Sequence, residues 1–125
     1  MEGRITVDSL RRPDKTGWLL VPIDLFEDEI IAHKRYCVLQ DDCLYYFKNC
    51  TPGVPLLGCM KLCPNTICEQ SGTGISKYHS FNINTPQKSY RLRSEHLNEA
   101  QDWQENINFK VSSMRSFKTV KSARK

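Results

Sequence analysis

The stretch KSYRLRSEHLNEAQDWQENINF, residues 88–109, contains the change of period that decides the fold. In its first part, Tyr90 and Leu92 alternate with arginines, which is the two-residue period of a half-buried strand. From Leu97 onward, apolar residues recur every three or four positions, as on one side of a helix. The apolar positions on that side are Leu97, Ala100, Trp103, Ile107, Val111 and Met114. A strand therefore leads into an amphipathic helix that carries a tryptophan.

The predicted helix begins with the polar residues that helix N-termini favour. Ser94 or His96 lies near the cap, and Glu99 falls in the first turn, where a negative charge interacts favourably with the helix dipole. We expect the helix to continue past Ile107, and its end stays open.

Upstream of this stretch, short apolar or alternating runs predict six more strands, separated by turn residues such as Asp41-Asp42 and Pro52-Gly53. The seven predicted strands are residues 15–23, 35–40, 43–48, 56–62, 66–70, 78–84 and 88–94. A run of strands followed by a helix favours an antiparallel α+β or all-β architecture. One amphipathic helix could then plug the mouth of an open barrel.

Length and composition limit the classes of function. A chain of 125 residues has the size of one domain, with no apolar run long enough to span a bilayer and no secretory signal. We therefore expect a cytoplasmic protein. The six cysteines form no Cys-x-x-Cys pair, and no histidine clusters with them. We therefore predict reduced cysteines and neither a metal nor another cofactor.

Catalysis and nucleic-acid binding have little support in the sequence. It contains no nucleophile elbow, P-loop, metal-ligand pair or Gly-rich dinucleotide turn, so an enzyme is not predicted. The basic residues outside the tail are balanced by acids, and no nucleic-acid-binding motif is present, so no nucleic-acid partner is expected.

Seven short pieces, taken in order, are similar to the pleckstrin-homology (PH) family. They are KTGWL at 15–19, KRYCVL at 34–39, LYYF at 44–47, PGVPL at 52–56, FNI at 81–83, YRL at 90–92 and EAQDW at 99–103. The resemblance implies a mainly β fold, a bent seven-stranded antiparallel barrel capped by one C-terminal helix. It divides the chain into a loose leader (1–13), a PH-like domain (14–109) and a basic tail (110–125) that could continue the helix.

The resemblance also implies a site for phosphoinositide headgroups at the open end of the barrel. The residues that would form it are His33, Lys34, Arg35, Tyr46 and Lys48. This site is weakened, because Val21 replaces the lysine that binding members carry late in strand one. The following loop, 24–31, contains four acids that would repel a headgroup. Binding is therefore expected to be weak.

The tail has a strong positive charge of its own. Its basic residues are Lys110, Arg115, Lys118, Lys121, Arg124 and Lys125, and it has no acidic residue. The other twelve basic residues face fourteen acidic ones in residues 1–109, so that region is slightly acidic. We expect the tail to add affinity for anionic membrane, although it could equally be a solvated linker.

Two functions of different classes remain open. The first is a module that recruits a signalling or trafficking protein to a phosphoinositide-containing or other anionic membrane. The second is a protein-interaction module with negligible lipid binding, which Val21 and the acidic loop keep open. A second lipid site outside the first hairpin, using Lys15 and Lys61, is a further possibility.

Overall fold

The fold is described by a computed structural model of residues 5–22, 32–70 and 78–123; the side chains of Pro22, Ala32 and 116–123 lie outside the description. A short 3-10 turn, Val7–Ser9, precedes the regular elements. The strands are β1 (Lys15–Pro22), β2 (Ala32–Gln40), β3 (Cys43–Phe47), β4 (Leu56–Lys61), β5 (Ile67–Gln70), β6 (His79–Asn84) and β7 (Ser89–Ser94), followed by the helix α1 (Leu97–Ala123).

All seven strands belong to one antiparallel sheet with the order β4-β3-β2-β1-β7-β6-β5. The predicted seven antiparallel strands and single C-terminal helix are therefore confirmed. The sheet is bent and does not close, because β4 and β5 remain at its edges. The predicted acidic loop 24–31 lies outside the described residues.

The shortest pairing in the sheet is between β1 and β7. These strands share one residue pair, Leu20 with Arg93, whereas β1 and β2 are paired along their whole length. α1 packs against β5, β6 and β7 and fills the concave face. The buried core comprises Leu19, Val21, Cys37, Leu39, Leu44, Met60, Leu62, Cys68, Phe81, Ile83, Leu92, Ala100, Trp103, Ile107 and Val111.

The helix buries nearly all of the face that its sequence predicts. Ala100, Trp103, Ile107 and Val111 are buried, and Met114 packs against the core. Leu97 differs, since 44% of it is exposed. It is the first helical residue, and the chain turns away from the sheet there. The predicted start is supported by hydrogen bonds from the Ala100 N–H to the His96 carbonyl and from the His96 N–H to the Ser94 hydroxyl.

A partly buried lysine ties the helix to β1. The Lys15 ammonium lies 3.0 Å from Glu99 and 2.6 Å from Asp102, and 5.2 Å from the ring centroid of Trp103. Burial alone would lower the pKa of Lys15, but the hydrogen bonds to Asp102 and Glu99 outweigh it, so the pKa is raised. Gly17 keeps this approach open, because a Cβ there would lie 2.8 Å from the Glu99 carboxylate.

The described part of the leader runs from the start of β4 to the end of β2. It is bonded to the start of β4 at Ile5, and to the end of β2 at Asp14, whose N–H donates to the Leu39 carbonyl. Val38 and Phe47, from β2 and β3, are buried although they are outside the main core. The domain boundaries themselves stay a prediction.

Replacing Lys15 with methionine should destabilise the fold. The apolar stem is kept, but two carboxylates lose their cation, so we expect a loss of about 1–3 kcal/mol in urea unfolding at neutral pH. Because the pKa of Lys15 is raised on folding, its contribution is complete below the ordinary lysine pKa. It should fade only as the pH rises through the raised value. The control Lys61→Met breaks an exposed pair with Asp42 and should have a much smaller effect. Equal losses in the two variants would contradict this account.

Candidate functional site

Three connections meet at one end of the concave face, which we call the mouth. β1 ends and β2 begins there, at Pro22 and Ala32. The connection from β3 to β4 (48–55) lies at the same end, because β3 runs antiparallel to β2. β7 runs antiparallel to β1, so the β6–β7 connection (85–88) also points to this end. Lys15, at the opposite end of β1, is where α1 packs.

His33 and Arg35 share the concave face at the mouth. Successive side chains of a strand alternate between faces, and the next odd residues of β2, Cys37 and Leu39, are both in the core. His33 pairs with Val21 of β1, which is 4% exposed. The structure thus brings together the two predicted basic residues, and it places a core valine where a third cation would stand.

Lys34 lies on the other face of the sheet. Its ammonium is 5.8 Å from the ring centroid of Trp18 and 4.0 Å from a carboxylate oxygen of Glu95. Trp18 in turn makes an edge contact with Tyr36, 5.5 Å between centroids. Neighbours in the sequence are thus separated by the sheet, and the structure does not bring Lys34 to the mouth.

Tyr46 is half-buried on the concave face and packs against the core. Its ring lies over Gly58 of β4, where any Cβ would overlap the phenol. Burial raises the pKa of Tyr46, as does the neighbouring Tyr90, while the positive charge of Arg35 acts in the opposite direction. The hydroxyl therefore stays protonated at neutral pH and is able to donate a hydrogen bond to an anion.

Two further cations border the mouth. Lys48 directly follows Phe47, the residue that pairs with Tyr36, so it lies beside the β2 segment that contains Arg35. Lys88 precedes β7, in a connection closed by the bond from the Thr85 hydroxyl to the Lys88 carbonyl. Lys88 was not among the residues predicted for the site from the sequence. In the sequence, Lys88 is only a lysine immediately before an alternating strand. That position points to the site only when the β6–β7 connection is known to reach the mouth.

The chemistry of this arrangement suits a polyanion. Among the described residues, no ion pair involves His33, Arg35, Lys48 or Lys88. Phosphate binds best where charged donors are fixed and not already neutralised. The described part of the chain contains no group of three or more histidine, cysteine or acidic side chains that could hold a metal ion. In the same ranges, no helix is long and apolar enough to cross a bilayer.

Part of the predicted basic tail is engaged within the domain. Lys110 forms an ion pair with Asp14 at 2.6 Å. Arg115 donates hydrogen bonds to the Pro64 and Thr66 carbonyls at 2.7 and 3.2 Å. The side chains of Lys118 and Lys121, and all of Arg124 and Lys125, lie outside the described residues. Lys15 and Lys61, considered for a second lipid site, are both held by acids, at Glu99 and Asp102 and at Asp42, respectively.

A separate groove lies on the outer side of β1 and β7. Its volume is about 370 Å³. Trp18 and Leu20 form apolar parts of its wall, and Lys34, Arg93 and His96 are polar wall residues. This groove and the mouth are on opposite faces of the sheet.

Comparisons with known proteins agree with this fold. The family model described as PH domain matches residues 13–112. Among curated proteins, none gives a significant sequence match. Solved structures give many significant matches.

Three solved PH domains illustrate the likeness. The domain of the human KIAA0053 protein is 25% identical, with a TM-score of 0.62 over 80% of this chain and 89% of that one. The domain of human oxysterol binding protein-related protein 11 is 21% identical, with a TM-score of 0.62 over 80% and 81%. The C-terminal domain of pleckstrin, in complex with D-myo-Ins(1,2,3,5,6)P5, is 20% identical, with a TM-score of 0.63 over 80% and 96%.

The substitution Gly58→Ala should displace Tyr46 from its place over β4. A methyl group would overlap the phenol, and we expect a loss of about 1–3 kcal/mol in urea unfolding, as for other overpacked sites. Tyr46→Ala removes the obstacle, so Gly58→Ala should cost little in that background. A double-mutant cycle measures this coupling. Additive effects of the two substitutions would show that Tyr46 does not lie over Gly58 in solution.

Proposed function

Because the chain belongs to the PH domain family, we propose that it binds phosphorylated inositol headgroups of membrane lipids, weakly, at the mouth. PH domains are generally binding modules without catalytic activity, and both phosphoinositide and protein binding are known in the family. The observation that carries the proposal is the position of Arg35 and His33. They share the concave face at the mouth, and no described acid pairs with them.

The residues proposed for the headgroup are Arg35 and His33 from β2, Lys48 and Lys88 from the two adjoining connections, and Tyr46 as a donor at the wall. Lys34 is not included, because Trp18 and Glu95 hold it on the other face. The pleckstrin domain in complex with an inositol pentakisphosphate supports this class of ligand.

The same residues suggest why binding would be weak. A headgroup phosphate must lose water, and fixed cations compensate that cost. Val21 supplies none, and its burial in the core leaves no room for a long side chain without repacking. The acids of the 24–31 loop add an unfavourable charge close to β1 and β2 in the sequence. We therefore propose recruitment to membrane through a low-affinity contact.

Replacing Arg35 with alanine should abolish most of the lipid binding. Each charge-assisted hydrogen bond contributes roughly 1.5–3 kcal/mol, so affinity should fall about tenfold or more. The measurement is cosedimentation with phosphatidylcholine vesicles that contain each phosphoinositide in turn. Arg93→Ala is the matched control, since it removes the same charge from the outer face. Equal losses from both substitutions would mean that binding follows net charge and not the mouth.

A truncated protein of residues 1–116 tests how much the tail contributes to lipid binding. This truncation removes Lys118, Lys121, Arg124 and Lys125 but keeps Val111, Met114 and Arg115, which the fold uses. If the truncated protein loses lipid binding while the Arg35→Ala variant binds as wild type does, lipid binding belongs to the tail.

His33 should contribute to binding beside Arg35. An imidazole N–H can donate a hydrogen bond to phosphate, so His33→Ala should lower affinity about twofold to tenfold. His33→Asn keeps a polar donor and should lower affinity less. The measurement is the same vesicle assay in buffers of equal ionic strength. Equal affinity of wild type and His33→Ala would exclude His33 from the site.

A second candidate function is the binding of a partner protein in the outer groove. Trp18, 38% exposed, offers an apolar wall, and Arg93 offers a cation, whereas Lys34 is already paired with Glu95. A segment with an apolar side chain followed by an acid would match this surface. Recruitment in cells that survives Arg35→Ala and is lost in Trp18→Ala would favour this function over lipid binding.

A further inference from the structure

The leader is joined to the connection between β3 and β4 by a continuous set of contacts. Thr6 forms an isolated bridge with Pro55. The Val7 N–H donates to the Val54 carbonyl at 3.0 Å, and the Leu56 N–H donates to the Ile5 carbonyl at 3.1 Å. These leader residues lie before residue 13, where the match to the family model begins. The contact is therefore a feature of this chain beyond the matched domain.

Asp8 is the one leader side chain that binds this connection through a charged group in the described structure. Its Oδ1 accepts a hydrogen bond from the Gly53 N–H at 2.8 Å. Gly53 has φ 87°, a backbone conformation that favours glycine. The Gly53 N–H, followed by the Thr6 side chain, lowers the pKa of Asp8, so the carboxylate is ionised at neutral pH.

The leader itself is held at both ends. The Ser9 hydroxyl donates to the Thr6 carbonyl at 2.7 Å and accepts from the Thr6 N–H at 3.0 Å, which closes the 3-10 turn around Asp8. Further along, the Arg12 N–H donates to the Gln40 side chain at 3.0 Å. Asp8 is thus presented to Gly53 from a segment that is fixed to the sheet on either side.

The connection that Asp8 holds begins at Lys48, one of the cations at the mouth. It is closed internally by bonds from the Thr51 N–H to the Asn49 side chain and from the Val54 N–H to the Thr51 carbonyl. Without an outside contact it would be an eight-residue link between two strands, free to move on its ends. Ordering such a link when a ligand binds would reduce the affinity.

We infer that the leader is part of the anion site, with Asp8 as a positioning residue. Its carboxylate binds Gly53 and adds to the backbone contacts of Ile5, Thr6 and Val7. The β3–β4 connection, which begins at Lys48 beside Arg35, is thereby ordered before a ligand arrives. This inference rests on the proposed function, because its consequence is affinity for a phosphorylated headgroup. Asp8 itself does not touch the ligand.

The test compares Asp8→Ala and Asp8→Asn in the full chain. Asparagine keeps an Oδ1 that accepts the Gly53 N–H, whereas alanine removes the acceptor. Asp8→Ala should lower affinity about threefold to tenfold for phosphatidylcholine vesicles containing a phosphatidylinositol bisphosphate, and for soluble inositol hexakisphosphate. Asp8→Asn should stay close to wild type. Amide hydrogen exchange at Gly53 and Val54 should be faster in Asp8→Ala only.

Asp42→Asn is the matched control. Asp42 is also an acid with a lowered pKa, but it pairs with Lys61 at the turn between β2 and β3, away from the mouth. Asp42→Asn should leave both the affinity and the amide hydrogen exchange at Gly53 unchanged. If wild type binds, Arg35→Ala abolishes that binding and Asp8→Ala leaves it unchanged, the role of Asp8 is overturned while the proposed function stands. No binding by wild type would overturn the proposed function together with it, even if exchange at Gly53 still responded to Asp8→Ala.

Discussion

The bend of the open sheet is the constraint on which the rest of the structure depends. β1 and β7 share one residue pair, and the apolar concave face of the bent sheet needs a cover. α1 supplies that cover with Trp103, and Lys15 fixes the helix through Glu99 and Asp102. Because the helix occupies this end of the concave face, access for a ligand is left to the other end. The position of the mouth is thus a consequence of how the bend is covered.

Strand periodicity explains most of what could be predicted. The seven strands and the buried positions of α1 follow from local patterns of two and nearly four residues. The same rule divides the basic trio, because His33 and Arg35 fall on one face of β2 and Lys34 on the other. His33, Lys34 and Arg35 were predicted as one cluster. The alternation of side chains along a strand already separates Lys34 from the other two in the sequence. Lys88 needed more than periodicity, since its relevance depends on the long-range pairing of β7 with β1.

Contacts between distant segments could not be predicted from local patterns. Residues 5–12 show no period, because they make isolated contacts with β2 and the β3–β4 connection instead of entering the sheet ladder. Arg115 lies in a segment with the composition of a solvated tail, yet its guanidinium donates hydrogen bonds to the carbonyls of Pro64 and Thr66. Asn108 likewise donates to the Cys68 carbonyl on the edge strand β5. Exposed strand edges invite unwanted pairing, and these helix side chains occupy part of that edge.

The geometry also separates the mouth from the tail. Lys110 contacts Asp14 at the start of β1, and Arg115 contacts Pro64, close to Leu62, whose N–H bonds to Asp42 at the β2–β3 turn. Both contacts lie at the end of β1–β3 opposite the mouth, about 25 Å away for an eight-residue strand. A flat bilayer that touches Arg35 would therefore not meet the point where α1 leaves the domain. The two charged regions are better understood as separate contacts than as one membrane-binding surface, so their affinities should not simply add.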